Sequence, residues 1–365
     1  MPPMMEGLQQ WVDAGLFDPD APDPRRFADV LAFYTSVGIK AEDFVGVPFD
    51  ELIGTVNMSQ LRPGATLTAE EARQQTGLPA DAFEGILTAA GYTTDQRFTH
   101  DDVEAFLAFG MAQGLFSAEA LADFARVLTG AMARVADATS ALFRMDVAPQ
   151  IEEGGGAEVE WARQNYESAQ MTGQLFTAMR AFFLNQLMGA VRLSDQARMA
   201  STSDATSTIS LAVGFVDIVG YTRYAASTAP DELAAFIVNF ERQATDAVRS
   251  RGGRLVKLIG DEIMYVALSA ADAAEIASAV IAEFVGTDAL PRGGVAFGEV
   301  IGVGGDYYGP VVNKAARIVD QAVPGELLVD RAVVDACAGE IEVEPAGRRQ
   351  LKGFDDPVEL FSVER

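Results

Sequence analysis

The 365-residue chain reads as α+β: a mixed sheet with covering helices, preceded by an all-α region. Three observations predict this. Apolar residues recur at helical spacing as far as residue 193. After the polar run Ser201-Thr-Ser-Asp-Ala-Thr-Ser207, short β-branched segments alternate with helices. Those strands read as hairpins without regular βαβ repetition, which argues against a doubly wound sheet. The expected organisation is an all-α domain over 1–193, a linker over 194–207 and an α+β domain over 208–365.

Residues 1–115 read as several short helices. Thr68 with Glu71 forms a capping-box pattern, Gly77-Leu-Pro79 breaks the next element, and Thr99 with Asp102 predicts another cap. Residues 68–92 have the outline of a helix-turn-helix, but residues 79–90 contain no Lys or Arg. A major-groove helix needs base-reading and phosphate-binding side chains, so a plain helical bundle is the better reading. From Ser117 a longer helix carries Leu121, Leu128, Val135 and Leu142 seven apart, with Phe124, Ala131 and Ala138 between them. That pattern serves either a helix-pairing seam or an ordinary core stripe. Glu152-Glu-Gly-Gly-Gly-Ala157 is a break. A second long helix over 159–193 presents Leu175, Met179, Phe182, Phe183 and Leu187 on a broad apolar face.

In the C-terminal part, 209–217 reads as a strand and 221–251 as helical, with Pro230 at a helix start. Residues 254–259 and 263–268 form a hairpin turning at Gly260-Asp-Glu262. A helix over 272–285 follows, then a second hairpin from 294–297 and 300–303. A helix over 309–322, a strand over 326–329, a short helix over 331–338 and a mostly β tail over 341–363 complete the order.

Composition narrows the function. There are 27 basic against 53 acidic residues, a formal net charge of −26. Such a surface repels nucleic acid and anionic membranes, so neither is an expected partner. Cys337 is the single cysteine and reads as a small buried apolar residue; no internal disulfide is possible. The N-terminus has no leader pattern and no apolar run reaches transmembrane length, which together predict a cytoplasmic protein. His100 is the single histidine. It falls just after the Thr99 cap, where the helix terminus disfavours imidazolium while Asp101 and Asp102 favour it, and it reads as a surface residue.

Two aspartates mark the chemistry. Asp217 lies in Val213-Gly-Phe-Val-Asp-Ile-Val-Gly-Tyr-Thr222, and Asp261 in Leu255-Val-Lys-Leu-Ile-Gly-Asp-Glu-Ile-Met264. Each sits where an apolar run stops, so a buried strand would hold it at a sheet rim. Two carboxylates brought together suit Mg²⁺ or Mn²⁺ and phosphoryl or nucleotidyl transfer. Further on, Asp306-Tyr-Tyr-Gly-Pro-Val-Val-Asn313-Lys-Ala-Ala-Arg317 places Asn313 and Arg317 four apart on a helix, hence on one face. A guanidinium on that face suits phosphate oxygens. No Gly-x-x-x-x-Gly-Lys-Ser/Thr element occurs, which excludes a P-loop.

These motifs, in this order, resemble the class III nucleotidyl cyclase catalytic domain over 209–363, with its ferredoxin-like, palm-type sheet. The resemblance implies that Asp217 and Asp261 hold two divalent cations, Mg²⁺ or Mn²⁺. It implies that Lys257 and Asp306 read the base, Asn313 orients the ribose and Arg317 stabilises the transition state. Leu351-Lys-Gly-Phe354 with Pro357-Val358 resembles the family's C-terminal hairpin. The substrate implied is ATP, because an acceptor at Asp306 and a donor at Lys257 fit the adenine edge. The assembly implied is a homodimer whose sites are shared between subunits. Arg223 and Lys314 lie near the motifs and read as surface or triphosphate-adjacent.

The N-terminal half resembles, more loosely, the helical regulatory domain of some actinobacterial class III cyclases. The resemblance implies regulation by a signal left open among a small molecule, a lipid and a proton. Three other readings remain: a guanylyl cyclase, a diguanylate cyclase and a catalytically silent cyclase-like signalling module. Ile259-Gly-Asp-Glu-Ile263 faintly resembles the diguanylate hairpin but lacks its second Gly, and both metal aspartates and the arginine are retained, against degeneration.

Overall fold

The structure, a computed structural model, describes residues 7–20, 25–155, 157–200, 208–287 and 289–364. The chain divides into two compact units, Met1–Leu184 and Asn185–Arg365.

The N-terminal unit is helical: α1 (Gln9–Asp13), α2 (Arg25–Ser36), α3 (Phe49–Leu61), α4 (Ala69–Thr76), α5 (Ala80–Ala89), α6 (His100–Ala112), α7 (Ala118–Leu142), α8 (Ala148–Glu153) and the first part of α9 (Glu158–Ala200). Both expected capping boxes form, Thr68 with Glu71 and Thr99 with Asp102. Asp102 also accepts from Tyr92 Oη at 2.8 Å and Arg62 Nη2 at 2.6 Å, tying the end of α3 to the start of α6. Two apolar clusters support these helices, one around Trp11, Leu31, Tyr34 and Leu52, the other around Phe83, Phe98 and Phe106. His100 is exposed, as expected. The α7 seam is buried only at its start. Leu121 is buried, whereas Leu128, Val135 and Leu142 are 37, 38 and 62% exposed.

Helix α9 runs to Ala200 rather than stopping at 193. Residues 194–200, read as linker, stay helical because Leu193 and Ala197 are buried in the core of the C-terminal unit. The remainder of the expected linker, 201–207, lies outside the described residues. Along the middle of α9, Phe176, Phe182, Phe183, Leu187 and Met188 are exposed. No described helix is long and apolar enough to cross a membrane.

The C-terminal unit is an eight-stranded sheet. Its elements are β1 (Thr208–Ile218), α10 (Tyr221–Ser227), α11 (Pro230–Ser250), β2 (Arg254–Ile259), β3 (Glu262–Ala267), α12 (Ala270–Glu283), β4 (Pro291–Val303), β5 (Asp306–Tyr308), α13 (Pro310–Val319), β6 (Leu327–Asp330), α14 (Arg331–Cys337), β7 (Val343–Arg349) and β8 (Val358–Val363). The strand order is β2-β3-β1-β4-β6-β8-β7, with β5 paired to β4. Among the described residues, only the β4–β6 pair is parallel.

Strand β1 is buried on both faces. Ala212, Val216 and Ile218 join a cluster with α11, α12 and α14, while Leu211, Val213 and Phe215 join one with α13 and the end of α9. Period-two alternation assigns the two sets to opposite faces. Cys337 is buried in the first cluster.

One expected element is corrected. The hairpin read from 294–297 and 300–303 is a single strand, β4, paired with β1 from Thr208↔Ile301 to Ile218↔Pro291. Its glycines serve close packing rather than a turn. A Cβ on Gly294 would lie 2.3 Å from the Val319 backbone nitrogen, so α13 can rest directly on the strand only because that position is glycine. The chain turns later, at Gly304-Gly305, and β5 returns along β4.

Candidate active site

The register brings three charged residues side by side. In neighbouring strands β3, β1 and β4, Glu262 faces Asp217 and Asp217 faces Arg292. Cross-strand partners share a sheet face, and alternation from Phe215 puts Asp217 on the α13 side. Gly260, at φ +66°, turns the β2–β3 hairpin so that Asp261 follows immediately. The Asp261 carbonyl accepts from Ile218 N at 3.2 Å, which pins this turn against the end of β1. The two candidate metal aspartates thus stand together at the sheet rim, as their positions at the ends of apolar runs predict.

Arg292 is the counter-charge. Its Nε and Nη2 donate to Asp217 Oδ2 at 3.0 and 2.8 Å, and its Nη1 donates to the carbonyls of Asp320 and Ala322 at 3.1 and 3.3 Å. One guanidinium does not balance the acids around it. Asp261 lies above the ordinary aspartate range because burial penalises its charge and Asp217 repels it. Glu262 is pushed up to about 7, first by burial and then by Asp217, Asp320 and Asp261, with Arg292 opposing.

This has a sign that can be measured. A carboxyl whose folded pKa is raised binds more protons in the native state than in the unfolded chain. Its ionisation therefore costs stability as pH climbs from the ordinary value of 4.5 to about 7, and the cost is complete above that. In cation-free protein held in EDTA, Glu262→Gln is expected to be more stable than wild type at pH 8, by on the order of 2 kcal/mol after allowance for partial exposure. At pH 5 the advantage should largely vanish. Thermal melts at the two pH values check this, and an advantage of equal size at both would contradict it.

The two base-reading candidates, Lys257 and Asp306, contact each other. Lys257 pairs with Met264 in the β2–β3 register, which puts it on the α13 face. Its Nζ donates to Asp306 Oδ2 at 2.5 Å, and Asp306 Oδ1 accepts from Tyr307 N at 2.8 Å. The four-residue spacing on α13 holds: Asn313 is exposed in its second turn, and Arg317 near its end reaches Asp320 Oδ2 with Nη1 at 3.4 Å. Arg223 is exposed and helps line an open hollow of about 410 Å³ beside Gly220. Lys314 turns the other way. Its Nζ donates to the buried Asp330 at 2.9 Å while Asp330 caps α14, which is a structural task.

Within one chain the six candidates fall into separate groups. Asp217, Asp261 and Arg317 join a network through Arg292 and Asp320; Lys257 and Asp306 pair with each other; Asn313 stands apart. Among the described residues, no hydrogen bond or ion pair joins the first group to the second. Sequence reasoning missed Arg292, Glu262 and Asp320. Glu262 adjoins Asp261 and could have been suspected, but Arg292 became legible only through the β1–β4 register.

No family model matches the chain. Over 358 residues it is 27% identical to an uncharacterized protein of Mycobacterium tuberculosis, covering 93% of this chain and 91% of that one. Over 164 residues it is 38% identical to an adenylate cyclase of Streptomyces coelicolor, covering 42% of this chain and 43% of the relative. An adenylyl cyclase of P. aeruginosa, known from its crystal structure, aligns at 22% identity and a TM-score of 0.40, over 43% of this chain and 95% of that one. The C-terminal part of the chain is thus similar in sequence to adenylate cyclases, and a helical N-terminal unit precedes it.

Proposed function

We propose that this protein is an adenylyl cyclase, forming 3′,5′-cyclic AMP and pyrophosphate from ATP. The observation that carries the reading is the Lys257–Asp306 pair. A donor and an acceptor lie side by side, in contact through Lys257 Nζ and Asp306 Oδ2. Adenine presents N6–H to an acceptor and N1 to a donor. Guanine presents the reverse edge and would leave polar groups unpaired, at about 1–3 kcal/mol each.

The acids suit two Mg²⁺ or Mn²⁺ ions. Asp217 and Asp261 are hard oxygen donors crowded enough to repel each other, and a guanidinium already lies where Asp217 attracts positive charge. When bound, such ions would make the ribose 3′-hydroxyl more acidic and offset the charge of the triphosphate. The 3′-oxygen bonds to the α-phosphorus as the bond to pyrophosphate breaks, and the hydroxyl proton passes to solvent. Lys257 and Asp306 fix the base, Asn313 orients the ribose through its amide, and Arg317 neutralises charge growing on the phosphoryl oxygens.

The separation of the candidates within one chain supports a homodimer. The acids of one copy would face the base pair, Asn313 and Arg317 of the other. Leu258, Ile259, Val303 and Tyr308, beside Lys257 and Asp306, are exposed apolar residues suited to a covered face. The test is product formation from ATP and from GTP, with Mn²⁺ or Mg²⁺. Wild type should prefer ATP. Lys257→Met should lower kcat/KM for ATP by roughly 10- to 100-fold, the cost of one or two lost base contacts. Equal use of both nucleotides by wild type would refute the base assignment.

The N-terminal unit is read as a regulator, because α9 is continuous from Glu158 to Ala200 and inserts Leu193 and Ala197 into the catalytic core. A truncation should therefore keep residues 185–365, since cutting at 200 would open that core. Its specific activity is expected to differ severalfold from that of the full chain. Unchanged turnover in a folded truncation would remove the regulatory role.

A further inference from the structure

The acid cluster extends beyond the residues the reaction needs. Arg292 grips Asp217 Oδ2 through two nitrogens, and its third nitrogen holds the Asp320 and Ala322 carbonyls just past the end of α13. Its Nη2 also lies 3.9 Å from Asp320 Oδ1. The other oxygen of the same carboxylate, Asp320 Oδ2, takes Arg317 Nη1 at 3.4 Å. An alternating chain of charge thus runs Asp217–Arg292–Asp320–Arg317, from a candidate cation ligand to the candidate transition-state arginine.

We infer that Asp320 is a positioning residue in a relay that couples cation occupancy at Asp217 to the freedom of Arg317 within one protomer. A cation on Asp217 competes with Arg292 for the carboxylate. Arg292 then gives more of its charge to Asp320, and Asp320 holds Arg317 less firmly. The inference rests on the shared-site dimer proposed above. In that dimer, Asp217 and Arg317 of one chain serve different sites, so cation binding in one site releases the arginine of the other. By linkage the reverse holds: whatever occupies Arg317 alters cation affinity at Asp217.

The test is Mn²⁺ binding to the full chain, followed by the loss of the free-ion EPR signal, which needs no turnover. Asp320→Asn leaves Arg292 wholly to Asp217 and should weaken Mn²⁺ binding roughly fivefold. Arg317→Ala leaves Asp320 wholly to Arg292 and should tighten it, by about two- to fivefold. Both effects must disappear when Arg292 is replaced by Gln, because the relay then lacks its middle member. Arg292→Lys serves as a second background should the glutamine variant melt early. An ammonium keeps the charge but cannot span Asp217 and the carbonyls together. If the Asp320→Asn and Arg317→Ala effects persist undiminished in both Arg292 backgrounds, the coupling is through-space charge alone and the relay is refuted. If wild type binds no Mn²⁺ at all, the cation-site reading itself fails and the relay with it.

Discussion

Replacing Asp217 with Asn is expected to lower cyclic AMP formation by about 10²–10³-fold while the protein stays folded, and Asp261→Asn should do the same. The asparagine keeps the side-chain volume but surrenders the charge that a cation needs. Asp217 carries a second task, because its carboxylate accepts both Arg292 bonds. The Asp217→Asn variant leaves that guanidinium, only 22% exposed, with less to pair with. A stability loss of about 1–2 kcal/mol should accompany the loss of activity, smaller than for a fully buried pair. Asp261 forms no ion pair among the described residues, so its variant should lose activity without that stability cost. Product assays at saturating Mn²⁺, read beside thermal melts, separate the two effects. Near-normal cyclic AMP formation by either folded variant would overturn the proposed chemistry.

Arg317→Ala is expected to lose activity on a similar scale, about 10²–10³-fold, because the proposed chemistry assigns its fixed charge to the transition state. Its stability should hardly change. The pair it makes with Asp320 is half-exposed, at 43 and 51% for the two side chains, and exposed pairs contribute little. The decisive measurement mixes this variant with Asp217→Asn. In a head-to-tail dimer, each mixed dimer rebuilds one site from the intact acids of one chain and the intact arginine of the other. With random exchange, about a quarter of wild-type activity should return. No recovery after verified subunit exchange would mean that each chain builds its own site. The Arg317–Asp320 contact within one chain would then be part of that site rather than a resting position.

Much of this was legible in the primary structure. Capping boxes at Thr68 and Thr99 are local events, settled within four residues, and both form. The β2–β3 hairpin was legible because Gly260 interrupts two apolar runs, and Asp261 came with it. Local rules failed where glycine answered to a distant neighbour. Residues 294–297 and 300–303 read as the two arms of a hairpin, but β4 runs unbroken through both, and Gly294 is small because α13 lies against it. The end of α9 was missed for a similar reason. Leu193 and Ala197 continue the helix because a partner surface buries them, which helical periodicity alone does not reveal.

The sequence by itself determined the fold class and the resemblance to nucleotidyl cyclases, and it nominated the six residues on which the proposed chemistry is staked, because each lies in a short motif whose spacing survives folding unchanged. The tertiary structure alone decided what surrounds the acids. Arg292 is seventy-five residues from Asp217 along the chain yet adjacent to it across two strands, and Asp320 reaches the same guanidinium from beyond a helix end. Charges act through space, so the balance at this site depends on sheet register and helix packing, which no local stretch of residues encodes.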